Sequence, residues 1–328
     1  MKQSTEYMVN PKEDLVYKKD YQTNSWFAVG HFEADGHLVN WLYHIIIIKM
    51  GPLTSVDSNF SVYDETTGEY HYEDKIYNPL QCTIKEEDTS AGKGFSVKCP
   101  MGIITGNPDQ IHIEAAMKFG KVNCTMKRTR EYIYNAGTGS FMTFLGVRVQ
   151  QFSMSHMDST GSLTIGDHTY KITGDSWFDC QWQFSKKEKE TIQMHSDWRW
   201  TWMDLNLDNG DTLSLWDMTD YKTNSTKAWA TILHADDTQE VVEIEPIIEG
   251  AGDYWRSPVS KNNYPTSFVV KIPAKQAELR VVTDVKDQEI VSKMPLFTKY
   301  ESANRVSGAY DGKETKGYCY VEHLGKWE

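Results

Sequence analysis

The chain has 328 residues, 39% hydrophobic and 24% charged, proportions of a globular protein with ample core and not of a disordered one. Its 46 acidic against 34 basic residues give a formal charge of -12, which argues against nucleic acid or an anionic membrane as partner, since either rewards a basic surface. No apolar run approaches the roughly 20 residues that span a bilayer. The polar stretch Met1 to Pro11 lacks a signal-type apolar region, and Cys82, Cys99, Cys124, Cys180 and Cys319, with no C-x-x-C pair, read as reduced thiols. These features read as cytoplasmic; a mature secreted form with its signal removed would have the same sequence.

In chain order, two aromatic and β-branched runs, Trp26 to Ala34 and His37 to Ile48, flank Asp35-Gly36, the strongest short hairpin signal. His31 and Glu33 share a face of this hairpin by parity, and Trp41, Tyr43 and His44 lie on its return strand. Leu42 to Met50, with four isoleucines, reads as a buried strand. Strand-like pieces follow at Phe60–Tyr63, Tyr70–Tyr77, Thr83–Lys85, Phe95–Lys98, Ile111–Lys118 and Lys121–Arg130, with turn clusters such as Gly106-Asn107-Pro108-Asp109 between them. Helical periodicity is poor throughout, so the chain reads as all-β, built of short antiparallel strands.

The most informative stretch is Gly174-Asp175-Ser176-Trp177-Phe178-Asp179-Cys180-Gln181-Trp182. At the strand period Trp177, Asp179 and Gln181 point one way and Phe178, Cys180 and Trp182 the other. A carboxyl among large aromatics, if out of water, has its charged form disfavoured, as a general acid working near neutral pH requires. The same spacing equally suits an exposed Asp on a solvated sheet face. The charge run from Ser185 to Glu190 reads as a solvated linker, which divides the chain into domains 1–190 and 191–328.

The second half restarts with Trp198-Arg199-Trp200-Thr201-Trp202, an Asn209-Gly210 turn and a return to Trp216, much as Phe32 runs to Trp41. Gly317 to Glu322 parallels Gly174 to Asp179: a Gly, alternating aromatics, then a carboxylate. Two short correspondences in one order suggest two copies of one barrel plan.

No P-loop, dinucleotide fingerprint, H-E-x-x-H or G-x-S-x-G motif is present, and the ten histidines lack metal-ligand spacing. That leaves a site with no cofactor and no metal. Eleven tryptophans and eighteen tyrosines suit a large apolar ligand, since aromatic walls bury much area and stabilise a cation over the ring face.

The blocks Phe152-Ser153-Met154-Ser155-His156-Met157, Gly161 to Thr173 and Gly174 to Trp182 occur in an order that resembles the lipocalin-like family of carotenoid 1,2-hydratases and AttH-type proteins. Trp255-Arg256-Ser257-Pro258, Tyr264-Pro265, Asp287-Gln288-Glu289 and Gly317 to Gly325 fit the same family in the same order. Two departures are Cys180 where the family often has His, and Gln183 where it often has Gly. The resemblance implies two lipocalin-like antiparallel β-barrel domains in tandem. It also implies a cofactor-free reaction in which Asp179 protonates a C=C bond, Trp177 faces the resulting cation, and His156 or Glu33 positions water or tunes the acid. Gln181, Trp182, His31, Tyr43, Trp41 and Trp202 are the further residues expected to line the binding site of a terpenoid, polyene or polyphenol. Two alternatives share this pocket: an isomerase or cyclase of Diels–Alderase type that shapes a polyene, and a carrier that binds a hydrophobic ligand without turnover.

Overall fold

The computed structural model describes residues 7–50, 53–143, 146–185 and 196–327. It is 67% strand and 6% helix, in two antiparallel sheets, one of them curled into a half-barrel. The chain divides into two compact units, Met1–Phe141 with Val147–Ile192, and Met142–Gly146 with Gln193–Glu328. The boundary expected between residues 190 and 191 lies outside the described residues.

The first sheet comprises β1 (Tyr21–Ala34), β2 (His37–Met50), β3 (Leu53–Asp64), β4 (Glu69–Tyr77), β5 (Thr83–Thr89), β6 (Gly92–Lys98), β7 (Gly102–Asn107), β8 (Gln110–Ala116), β9 (Gly120–Lys127), β10 (Tyr132–Tyr134), β11 (Ser140–Met142), β12 (Arg148–Ile165) and β13 (His168–Ser185). Its order is β4-β3-β2-β1-β13-β12-β9-β8-β7-β6-β5, with β10 and β11 paired to β12. The hairpin expected at Asp35-Gly36 joins β1 to β2. Four of the six strand-like pieces fall within β3, β4, β5 and β6; Ile111–Lys118 and Lys121–Arg130 correspond to β8 and β9 but run past their ends at Ala116 and Lys127, and β7 was not expected. Its sequence, Gly-Ile-Ile-Thr-Gly-Asn, carries the punctuation of a turn, but the chain reverses two residues later and Asn107 still pairs with Gln110.

The second sheet comprises β14 (Trp198–Leu207), β15 (Thr212–Asp220), β16 (Ser225–Leu233), β17 (Gln239–Glu243), β18 (Asp253–Arg256), β19 (Asn263–Ile272), β20 (Ala277–Val282), β21 (Glu289–Ile290), β22 (Lys299–Tyr310) and β23 (Lys313–Gly325). Its order is β17-β16-β15-β14-β23-β22-β20-β19-β18, with β21 paired to β22. The plan is that of the first sheet: the opening strand sits between the second and the last, and short strands pair with the penultimate one, β10 and β11 in the first sheet and β21 in the second. The hairpins β1–β2 and β14–β15, and the strands β13 and β23, which share short sequence patterns, thus hold equivalent places. So do Gly161 and Gly308, on the penultimate strands, where an added Cβ would meet a backbone carbonyl at 2.0 Å in each case.

In the first sheet the strand period separates two environments. Trp26 and Ala28 of β1, Trp41 and Tyr43 of β2, and Phe178, Cys180 and Trp182 of β13 all enter the apolar core. Trp41 lies over Gly30, where a Cβ would come within 2.3 Å of its indole. On the other face, Ser25, Phe27, Val29 and His31 stand directly opposite Gln181, Asp179, Trp177 and Asp175. β1 is buried continuously from Thr23 to Gly30, so both of its faces are out of water, unlike a strand with one solvated face.

Several sequence blocks of the second half are structural. Glu289, buried on β21, accepts hydrogen bonds from Ser257 Oγ (2.5 Å), Ser260 Oγ (2.6 Å) and Tyr264 OH (2.9 Å). Tyr264 stacks on Trp255 and Tyr300, and its ring is parallel to that of His323. His323 is fully buried; Thr201 Oγ1 lies 2.8 Å from its Nδ1, and its Nε2 donates to the Pro265 carbonyl at 3.2 Å. Burial in this aromatic box pushes the imidazole down to about 3; Arg199 adds to the effect and the Pro265 carbonyl opposes it. The unfolded His, near 6.5, therefore takes up a proton between pH 6.5 and about 3 that the folded chain refuses, and stability present above pH 6.5 is lost as the pH falls through that window. Unfolding free energy measured from pH 7 to pH 4 should fall more steeply for the wild type than for His323→Phe, by about 1.4 kcal/mol per pH unit below 6.5. Equal slopes would show that His323 does not titrate this way.

Candidate functional site

Asp179 is 5% exposed, in the middle of β13, with Phe27 opposite it on β1 and Ser153 opposite it on β12. Its two oxygens are held by different neutral donors. The Trp177 indole N–H, two residues back on the same face, donates to Oδ1 at 2.8 Å, and the Gln151 amide on β12 donates to Oδ2 at 2.9 Å. A carboxyl out of water needs such partners, because leaving one oxygen unsatisfied costs about 1–3 kcal/mol. The two donors differ in kind. An indole N–H only donates, so Oδ1 is fixed as an acceptor, whereas a half-turn of the Gln151 amide would present its carbonyl instead. The Gln151 Oε1 is buried and has no hydrogen-bond partner among the described residues.

Buried polar groups continue on this face. The Asn135 amide donates to Ser153 Oγ at 3.1 Å, and Ser25 Oγ lies 2.7 Å from His44 Nε2, whose ring meets Phe27 edge to face. Toward the other end of β13, a bulge in β12 sets Ser155 and His156 against the single residue Trp177, since Met154 pairs with Phe178 and Met157 with Ser176. His156 takes a left-handed conformation there, φ 48°, which costs a non-glycine residue about 1–2 kcal/mol. Its carbonyl accepts a hydrogen bond from Thr129 Oγ1. His156 Nδ1 lies 2.5 Å from Asp175 Oδ2, and the other Asp175 oxygen accepts the Ser176 N–H at 3.0 Å. Trp177 is thus flanked on one face by Asp179, Asp175 and His156.

The remaining expected residues divide. Gln181 stands on the Asp179 face, half-buried, opposite Ser25 and Gln151. His31 is on this face too, opposite Asp175, with Nδ1 2.7 Å from Asn40 Oδ1. Parity sends Trp41, Tyr43 and Trp182 to the opposite face, into the core, where the Tyr43 hydroxyl meets Ser58 and Cys99. Glu33 stands apart from the others. It is exposed and lies six residues along β1 from Phe27, the partner of Asp179, a strand distance of about 20 Å. Trp202, on β14 in the second unit, donates its indole N–H to Ser214 Oγ at 3.1 Å. Cys180, standing where the family often has His, also faces the core; its thiol donates toward the Asp14 and Leu15 carbonyls, and burial pushes it far up. That departure therefore lies on the side of β13 away from Asp179.

Sequence reasoning missed Gln151, Ser153 and Asp175, because only strand pairing brings them to Asp179 and His156. It also missed Glu301 of β22. Glu322 of β23, the residue parallel to Asp179, accepts the Trp200 indole N–H at 2.8 Å, but it lies 3.4 Å from Lys299 Nζ, which is 2.5 Å from the fully buried Glu301. Burial pushes the Glu301 carboxyl well above the ordinary range; Lys299 opposes this and Glu322 reinforces it. Among the described residues no three of His, Cys, Asp and Glu converge to hold a metal ion, and no helix is long and apolar enough to cross a membrane.

Solved structures share this fold. One assigned to AttH from Nitrosomonas europaea has 17% identity and a TM-score of 0.78, with 98% of each chain covered. Kievitone hydratase from Nectria haematococca has 21% identity and a TM-score of 0.75, over 92% of this chain and 89% of its own. CghA has 8% identity and a TM-score of 0.64, over 98% and 94% respectively. No curated protein sequence matches the chain. The AttH-like family model matches residues 4–326, nearly end to end, and the chain therefore belongs to the AttH-like family.

Proposed function

We propose that this chain is a cofactor-independent enzyme that protonates a C=C bond of an unsaturated, hydrophobic small molecule from Asp179, with hydration as the reaction. The observation that carries the reading is the pair of hydrogen bonds to Asp179, one from a group that can only donate and one from a group that can reverse. With Trp177 fixed on Oδ1, a transferable proton belongs on Oδ2, where Gln151 turns its free Oε1 to receive the O–H. After transfer the carboxylate again accepts from the amide. The Trp177 ring beside the acid offers a π-face to the cation formed on the substrate. The likeness to kievitone hydratase accords with a hydratase, and terpenoids, polyenes and polyphenols are the ligand classes to try.

A carrier that holds its ligand against the core face of the first sheet fits less well. The core face of that sheet is filled by aromatics in mutual contact, as in Trp26 on Phe95 (5.9 Å) and Phe95 on Phe178 (6.2 Å), and the polar machinery lies on the opposite face. We also read the two compact units as the tandem domains expected from the sequence.

Asp179→Asn should fold and bind as the wild type does, because the amide oxygen still accepts from Trp177 and a turned Gln151 accepts from the new NH₂. Turnover should be lost, as measured by mass spectrometry of ligands recovered after incubation and checked against the melting temperature. Full turnover in a stable Asp179→Asn protein would remove Asp179 from the mechanism, and Glu301 would replace Glu33 as the next acid to test. Gln151→Leu, which keeps the volume and removes the reversible partner, should lower kcat by about 10–10² while leaving KM close to the wild-type value. An unchanged kcat would make Gln151 a packing residue only.

A further inference from the structure

We propose that Cys82 and Cys99 are a disulfide-forming pair, a site of reversible oxidation by a small-molecule disulfide of the glutathione class, and that the bond clamps strand β5 to β6. The register carries the inference. β5 and β6 pair from Thr83 opposite Lys98 to Thr89 opposite Gly92, and the same register taken one residue further sets Cys82 opposite Cys99. Cys82 is extended, with φ -116° and ψ 153°, so the strand geometry continues through it. The Cys99 N–H donates to the Gly102 carbonyl at 2.8 Å and the Cys99 carbonyl accepts the Gly102 N–H at 3.2 Å, so both backbone groups are turned to β7. Toward β5, Cys99 therefore holds a non-hydrogen-bonded position, where opposed Cα atoms stand about 4.5 Å apart and side chains come closest. A disulfide spans Cα separations of roughly 4.4–6.8 Å.

The side chains are placed to use that position. Cys99 belongs to the apolar core of the first sheet and Cys82, half-buried, packs against it, so both thiols are on the core face. Each sulfur has one weak contact, 3.8 Å from the Asn78 carbonyl for Cys82 and 3.8 Å from the Tyr43 hydroxyl for Cys99, and a bond between them forfeits little. Burial pushes the Cys82 thiol up to about 11, and the nearby Cys99 adds to the effect. The other three cysteines lack such a neighbour: Cys124 stands opposite Gly161 and Ile113, Cys180 opposite Trp26 and Phe152, and Cys319 opposite Leu205 and Asn304. β5 is the last strand of its sheet and is exposed along nearly its whole length, so apolar packing does little to hold it. A covalent bond at its entrance supplies that anchor.

In the oxidation the Cys82 thiol, the more accessible of the two, loses its proton to solvent and its sulfur attacks oxidised glutathione. A mixed S–S bond forms as the glutathione S–S bond breaks, and one glutathione thiolate leaves. The Cys99 thiol then loses its proton, its sulfur attacks Cys82 Sγ, and the second glutathione thiolate leaves. Two protein thiols are oxidised, one glutathione disulfide is reduced, and the two protons released are those the leaving thiolates take up. The thiolate is the nucleophile and Cys82 ionises only near about 11, so the rate should climb about tenfold per pH unit above neutrality. Tyr43 and Tyr77 are the other titratable groups at the pair; burial pushes both up, Tyr77 to about 12, so they stay neutral through that window.

The test incubates the full chain with oxidised glutathione at mildly alkaline pH, blocks the remaining thiols and maps the unreduced tryptic digest by mass spectrometry. The peptide Ile76–Lys85 should appear joined to Cys99–Lys118, with Cys124, Cys180 and Cys319 still thiols, and dithiothreitol should separate the two. Amide hydrogen exchange over Thr83–Thr89 should slow by about 10-fold in the linked protein and recover on reduction. Cys82→Ser, a small change at a half-buried position, should keep the melting temperature of the reduced wild type, form no link and keep the faster exchange. Glutathione that persists on Cys82, two thiols that stay unoxidised, a link to any other cysteine, or unchanged exchange in the linked protein would each overturn the proposal. None of these readouts involves turnover, so they stand apart from the results on Asp179.

Discussion

A carboxyl can be kept out of water only where the backbone delivers donors to both of its oxygens, and that constraint organises the first sheet. Asp179 receives one donor from its own strand and one from the next. The first depends on the strand period, which sets Trp177 and Asp179 on one face; the second depends on the register of β12, which sets Gln151 within reach. A slip of one residue in that pairing would turn Gln151 into the core and Phe152 toward the carboxyl. The aromatic core on the opposite face, with Trp26, Trp41, Phe178 and Trp182, holds the register in place, so the packing of one face fixes the chemistry of the other.

The two sheets show how one plan supports different electrostatics. In both, the last strand carries a carboxylate that accepts an indole N–H: Asp179 from Trp177, and Glu322 from Trp200. In the second sheet a lysine lies between that carboxylate and a fully buried glutamate, an arrangement in which the charges answer one another. In the first, the indole of Trp177 and the amide of Gln151 donate to the carboxyl. Fold alone does not choose between these outcomes; the partners on the neighbouring strand do.

Much of the architecture was legible in the sequence because it is local. Asp35-Gly36 and Asn209-Gly210 mark hairpins through the backbone twist they permit, and alternation alone put Trp177, Asp179 and Gln181 on one face. The same alternation sent Trp182 the other way, and the hairpin register does likewise for Trp41 and Tyr43, so their place in the core followed from parity once the pairing was known. What resisted reading is non-local. Gln151 and Asp175 acquire meaning only through the pairing of β12 with β13, the bulge at His156 leaves no turn residue to announce it, and the fate of Glu33 depends on counting along a strand whose partner was unknown. Blocks such as Trp255 to Pro258 and Asp287 to Glu289, which carried the family resemblance, mostly serve an internal network around Glu289 and Tyr264. A shared motif marked shared construction there.

The central claim is that a proton moves from Asp179 to carbon. Turnover of an unsaturated ligand in D₂O, followed by mass spectrometry and NMR of the product, tests it most directly. The account predicts one non-exchangeable deuterium bound to carbon, on the atom next to the one that gains oxygen. A product that gains oxygen without deuterium on carbon, or that is rearranged with no isotope incorporated, would contradict it.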